Sequence, residues 1–229
     1  TLFSAAVGGS TALTSLTTDA GGTVSLLSVT TSGVQSYGEA ATLNGTYTTT
    51  NSAFSVAGTT TLGGGTTVTV GSGPVTFTGA VNGANTLAVN STGATLFSAA
   101  VGGSTALTSL TTNAGGTVSL LSVTTTGAQS YGEAATLNGT YTTTNAAFSV
   151  AGPTTLGGAT TVTVGSGNVT FTGAVNGANT LAVNSTGATL FSAAVGGSTA
   201  LTSLTTDAGG TVSLLSVTTT GAQSYGEAA

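Results

Sequence analysis

The chain contains no Lys, Arg, His, Cys, Met or Trp. Without Lys and Arg it has nothing to neutralise phosphates, which excludes nucleic acid as a partner and removes the polybasic route to an anionic membrane surface. Without Cys it has no disulfide framework, and without Cys, Met or Trp an oxidising exterior does it no harm. The ionisable acids are five, Asp19, Glu39, Glu133, Asp207 and Glu227, giving a net charge of −5. Charged residues make up 2% of the chain, against roughly 25% in an ordinary globular domain, so the usual solubilising surface is missing. No run approaches the ~18 consecutive apolar residues of a membrane-spanning helix, so no membrane insertion is expected. No stretch of the chain reads as a signal peptide, and targeting signals are expected to lie elsewhere. The chain opens at Thr1 without Met and stops at Ala229 inside repeating sequence, as expected of a window cut from a longer polypeptide.

What is present is repetition. Residues 1–94 recur as 95–188, and 189–229 begin a third copy, so that Thr1-Leu2-Phe3-Ser4 reappears from Thr95 and from Thr189. The first two copies differ at positions 19, 32, 34, 52, 59, 65 and 74 and their partners, and the third differs from the second only where Asn113 becomes Asp207. A catalytic pocket does not need its surroundings repeated, whereas a long uniform object does. No linker separates the copies: Asn90-Ser91-Thr92-Gly93-Ala94 runs directly into Thr95-Leu96-Phe97, so 1–229 is expected to be one continuous unit.

A finer period lies inside the long one. An aliphatic residue followed by Asn or Gly and then Gly occurs at Leu43, Leu62, Val81 and Val101, at spacings of 19, 19 and 20, then at Leu137 after 36. If 36 is two turns with a degenerate middle one around Gly115-Gly116, the 94-residue repeat holds five coils of about 19 residues. The spacing predicts one interior column through Leu62, Val81 and Val101 and a second through Val68, Leu87 and Leu107. Locally, Thr66-Thr67-Val68-Thr69-Val70 and Asn168-Val169-Thr170-Phe171-Thr172 alternate polar and apolar residues at period two and are bounded by Gly and Asn, the pattern of short strands. Short strands every 19 residues with no helix between predict an all-β chain wound as a right-handed parallel β-helix, each coil hydrogen-bonded to the next at ~4.8 Å. The seven Phe (3, 54, 77, 97, 148, 171, 191) are expected to stack inside, and Tyr37 and Tyr47 to bring their hydroxyls to the surface. A tandem β-sandwich of about 94 residues per module is the rival fold, but it gives no reason for the 19-residue sub-repeat.

The phrases Val75-Thr76-Phe77-Thr78-Gly79-Ala80-Val81-Asn82-Gly83, Ala100-Val101-Gly102-Gly103-Ser104-Thr105-Ala106-Leu107-Thr108 and Ser122-Val123-Thr124-Thr125-Thr126-Gly127-Ala128-Gln129-Ser130-Tyr131 resemble the repeat regions of giant, filamentous-haemagglutinin-like secreted bacterial proteins. The resemblance covers the whole chain. It implies a parallel β-helix, export to the bacterial surface or exterior, and a role in adhesion, cell–cell contact or a fibrous matrix. The family's export domain, an Arg-Gly-Asp tripeptide and a basic carbohydrate-binding patch have no counterpart here, so the resemblance speaks for architecture more than for a receptor.

Candidate chemistry is sparse. A nucleophilic hydroxyl needs a base, and only Thr1, through its own amino group, could supply one; Thr95 and Thr189 repeat its context inside the chain. Glycoside hydrolysis needs paired carboxylates ~5–10 Å apart. Asp19 and Glu39 lie about one coil apart, yet the equivalent of Asp19 is Asn113 in the next copy, so the acids read as solvated loop residues. The Asp-bearing nonapeptide of calcium solenoids is missing, and no metal or cofactor is expected. Asn44-Gly45-Thr46, Asn90-Ser91-Thr92 and Asn168-Val169-Thr170 match the glycosylation triplet, which arises readily in so Asn- and Thr-rich a chain.

Outward Thr67 and Thr69, with Thr48 and Thr50 below and Thr86 above, would form a Thr-x-Thr column resembling those of ice-binding β-solenoids, broken at Ala88 and Ala106. The sequence therefore predicts a non-enzymatic, extracellular or cell-surface fibre or adhesin-stalk segment with no catalytic, cofactor or metal residues. Its expected partners are copies of itself, stacked end to end and packed laterally, and cell-surface or matrix ligands. Ice binding is the alternative.

Overall fold

In a parallel ladder each strand satisfies only half of its hydrogen-bonding capacity on either side, so one coil is stable only between two others. The computed structural model describes residues 1–112, 115–206 and 209–227, and shows this arrangement throughout. Twenty-five strands run from Leu16–Thr18 to Gln223–Tyr225; every pairing is parallel, and no helix occurs among the described residues. The fold is a right-handed parallel β-solenoid.

Three ladders climb the axis, one for each side of a roughly triangular coil. One passes through Gln35, Phe54, Val75, Thr95, Val118, Ala135 and Thr154. The second passes through Ala41, Thr60, Val81, Val101, Val123, Tyr141 and Val162. The third passes through Val29, Tyr47, Val68, Val89, Thr112, Tyr131 and Val150. Long strands such as Ala40–Thr48 and Thr60–Gly71 bend from the second side into the third, with a register shift after Leu43 that marks the corner. Gly45 sits in that corner at φ +89, and a side chain there would run into the Leu27 carbonyl and the Ser28 hydroxyl of the coil below.

The coil is slightly longer than the spacing indicated. From Leu16 to Val217 the first ladder makes ten turns, about 20 residues each. Nor do 94 residues close five turns. Phe54 lies on the first side, below Val75; its copy Phe148 lies on the third side, above Gln129. The interval from Val101 to Leu137, 36 residues, spans five sides, which is one and two-thirds turns. The repeat therefore makes four and two-thirds turns, and its copies stand on successive sides of the same rod. The ladders continue across the repeat boundary, as in Val75 to Thr95 to Val118.

Inside and outside follow the predicted alternation, and Val101 stands on Val81 as expected, while the other predicted vertical partners differ. Leu62, Val81, Val101, Val68, Leu87 and Leu107 are all buried. However, Val81 stacks on Thr60, with Leu62 on Leu43; Val68 meets Val89, and Leu87 meets Leu110. At Thr60 and Val89 the discrepancy is two residues, which leaves the side chain facing the core because the strand period is two; Leu110 lies three residues past Leu107, which is buried ahead of that strand and pairs with Thr125 instead. Phe77 lies between Phe54 and Phe97, with centroids 5.7 and 5.1 Å away, and Phe171 repeats this between Phe148 and Phe191. Phe3 is only partly buried.

The hydroxyls of Tyr37 and Tyr47, and of their copies Tyr131 and Tyr141, do not reach the surface. Tyr37 is fully buried and donates to Gln35 Oε1 at 3.1 Å, while Gln35 Nε2 donates to the carbonyls of Val29 and Thr48 at 3.1 and 2.9 Å. Tyr47 donates to the Leu26 carbonyl at 3.1 Å and accepts from the Asn44 amide at 3.0 Å. Here an interior hydroxyl with partners replaces the solvated tip expected from the sequence.

The differences between copies avoid the core. Thr59 becomes Pro153 and Pro74 becomes Asn168, at positions whose carbonyls accept from the neighbouring coil. Proline is tolerated where the amide is not needed by the ladder. Replacing Phe77 with Ala should cost about 3–5 kcal/mol in denaturant titration, because it opens the middle of an aromatic stack. Thr76→Ala, on the outer surface of the same strand, should change stability by less than about 0.5 kcal/mol.

Candidate functional site

Three kinds of polar feature remain once the ladder and core are accounted for: carboxylates at a corner, outward hydroxyl rows, and turn amides. The carboxylates depart most from expectation. Glu39 and Glu133 are 7% and 5% exposed, so they are buried, not solvated. Each follows a Gly that turns the chain after the Gln-Ser-Tyr strand, Gln35–Tyr37 or Gln129–Tyr131, and the neighbouring coil covers it. Thr18 Oγ1 donates to Glu39 Oε2 at 2.7 Å. In the second copy Glu133 Oε2 and Thr112 Oγ1 are both buried and close no hydrogen bond.

Asp19 is exposed and lines an open groove with Thr18 and Glu39. Its equivalents Asn113 and Asp207 lie outside the described residues. Glu39 and Glu133 stand on different sides of the rod, separated by ~22 Å along the axis at ~4.8 Å per coil. Among the described residues, no three of His, Cys, Asp and Glu come together as a metal would require. The Thr1 ammonium donates to the Thr23 carbonyl at 2.6 Å.

The outward rows are shorter than predicted. Thr67 and Thr69 stand above Thr46 and Thr48 and below Ala88 and Asn90, so the rungs expected at Thr50 and Thr86 lie elsewhere. A matching block, Thr140 and Thr142 below Thr161 and Thr163, recurs on the second side. Two rungs are followed by Ala and Asn, and the next block has turned away by two-thirds of a turn.

Asparagine side chains secure the turns between coils. Asn82 Oδ1 accepts from the amides of Ser104 and Thr105 at 2.9 and 3.2 Å, and Asn85 Nδ2 donates to the Leu62 carbonyl at 2.9 Å. Asn51 adopts φ +52 and its Oδ1 accepts from the Ser72 amide at 3.0 Å. Of the glycosylation triplets, Asn90 has its nitrogen turned to Thr69 Oγ1 at 3.4 Å, and Asn168 Oδ1 accepts from the Ala188 amide at 3.0 Å. These asparagines serve as inter-coil braces.

Burial sets the electrostatics. It pushes the Tyr47 phenol up to about 12 and raises the Tyr37, Tyr131 and Tyr141 phenols as well. Burial also raises the Glu133 carboxyl, and the nearby Thr112 hydroxyl and the amides of Gly132 and Glu133 offset only part of the shift. A carboxyl whose folded value is raised stabilises the fold below its unfolded value of ~4.3 and loses that contribution as pH rises through the folded value. Melting temperature should therefore increase as pH falls from 8 to 4, and Glu133→Gln should flatten that increase. A wild-type melting temperature that falls over the same range, as in most acid-sensitive proteins, would contradict this assignment. No family model, curated protein or solved structure matches this chain.

Proposed function

We propose that the chain is a structural segment of an extracellular or cell-surface bacterial fibre or adhesin stalk, acting without catalysis as a stiff spacer in adhesion, cell–cell contact or matrix formation. The observation that carries this reading is the phase of the repeat. Because 94 residues turn the rod by four and two-thirds coils, one sequence is displayed in succession on all three sides, and the rod has no unique face where a single active site would be built. The outer positions hold Thr, Ser, Asn and Gly, which hydrate without attracting charged molecules.

The likeness of the repeat phrases to filamentous-haemagglutinin-like proteins supports the same assignment and is the basis for bacterial origin and export. Other copies of the chain are the natural axial partner, because a coil with no neighbour leaves its axial donors and acceptors open as a template. The short Thr blocks argue against ice binding, which needs one extended flat array.

Electron microscopy and small-angle scattering of native material test the proposal. The expected result is rods of uniform width whose length grows by ~22 Å per 94-residue repeat at ~4.8 Å per coil, unchanged by salt or chelator. Compact particles, or thermal hysteresis in dilute solution, would overturn it. Treatment with EDTA should leave the melting temperature where it is; a sharp drop would reveal a structural metal.

A further inference from the structure

Large apolar side chains are rare on the outer surface; apart from Leu13 and Val34, those exposed among the described residues are six leucines that recur with the repeat. Leu96 projects outward between inward Thr95 and Phe97 and is 40% exposed; Leu121 is 42% exposed. Leu96 pairs with Ser119 of the next coil, and Leu121 follows two residues beyond Ser119, just past the end of that strand. A shallow groove of about 230 Å³, lined by Phe97, Leu120, Leu121, Thr136, Asn138 and Gly157, runs from Leu121 across the following coils.

The pair recurs with the repeat. Leu2 and Leu27 form it on the second side, where Leu2 pairs with Ser25; Leu190 and Leu215 form it on the third, where Leu190 pairs with Ser213. All four are exposed. The leucine pairs thus ascend the rod as a three-fold screw, advancing two-thirds of a turn and ~22 Å each time at ~4.8 Å per coil.

We propose that each leucine pair is a lateral contact between copies of this chain, and that the screw surrounds every rod with neighbours on three sides. The proposal rests on the rod reading above and names the surface that bundles it. Three observations select a second copy as the occupant. A flat partner, such as a lipid surface, would meet only one pair in three, because successive pairs face different directions. Another copy presents the same pairs at the same axial interval, and with no cations and few anions the two rods meet without strong charge repulsion. Finally, two half-exposed leucines fall far below the ~800 Å² per partner of a stable interface, so one contact is weak and association must come from many contacts along one chain.

Because the chain has no cysteine, introduced thiols report contacts directly. Leu121→Cys should form inter-chain disulfides under mild oxidation at least tenfold faster than Thr161→Cys, which points outward on the second side several coils above the Leu2–Leu27 pair. In sedimentation, Leu96→Thr with Leu121→Thr should weaken concentration-dependent association at least tenfold, with circular dichroism showing an unchanged β-sheet signal. Equal cross-linking at both positions, or unchanged association of the folded double variant, would overturn the inference. Rods that remain single at every concentration would also overturn it while leaving the fibre reading intact, whereas compact particles would remove both. Leucine-dependent binding to phosphatidylcholine vesicles without self-association would assign the patch to lipid and likewise overturn it.

Discussion

Everything in this molecule depends on the hydrogen-bond ladder between successive coils. Each coil buries its inward residues only because the coil above and the coil below hold it in register, and no segment of about 20 residues has a core of its own. Stability in such an array is shared between nearest neighbours. The polar interior groups follow the same rule: Gln35 reaches carbonyls of two adjacent coils, and the Tyr47 hydroxyl bridges to Leu26 one coil below. The asparagines at the corners extend the ladder to turn amides that the strands leave unpaired.

A second constraint is parity. Coil lengths vary, with steps of 19 from Gln35 to Phe54, 21 from Phe54 to Val75 and 23 from Thr95 to Val118. The chain absorbs this variation in its turns, so a strand always re-enters with apolar residues inward. Phase around the axis is far less constrained, since any strand of suitable length can occupy any side of the triangle. Identical copies therefore sit on different sides without altering their cores. The repeat need not match a whole number of turns, and the surface acquires a screw that no single copy contains.

This geometry links architecture to the proposed role. A feature displayed once per repeat reaches every direction around the rod, which suits lateral bundling and multivalent contact and suits recognition of a flat target poorly. The near absence of charge removes both electrostatic steering and electrostatic repulsion, leaving hydration and small apolar contacts to decide association. Among the described residues the hydroxyls of Thr60, Thr112, Thr154 and Thr206 and one oxygen each of Glu133 and Glu227 are buried without a hydrogen-bond partner, and the orphan oxygen of Glu133 ties the fold to pH.

Much of this was legible in the residues themselves. Period-two alternation in Thr66–Val70 and the recurring aliphatic-Asn/Gly-Gly corner marked a solenoid, and the inward placement of Leu62, Val81, Val101 and the phenylalanines followed from local pattern alone. What the pattern could not specify was which residue stands above which. A shift of two residues preserves every local signal, so the stacking of Val81 on Thr60 was decided only by the packed turns. The interval from Val101 to Leu137 was likewise indistinguishable from two coils until the ladders showed it to cross five sides. The fates of Tyr37 and Glu133 were also tertiary, because burial of a polar tip depends on the coil laid over it, and only the stacked structure places the Gln35 amide against the tyrosine and leaves the glutamate short of a partner.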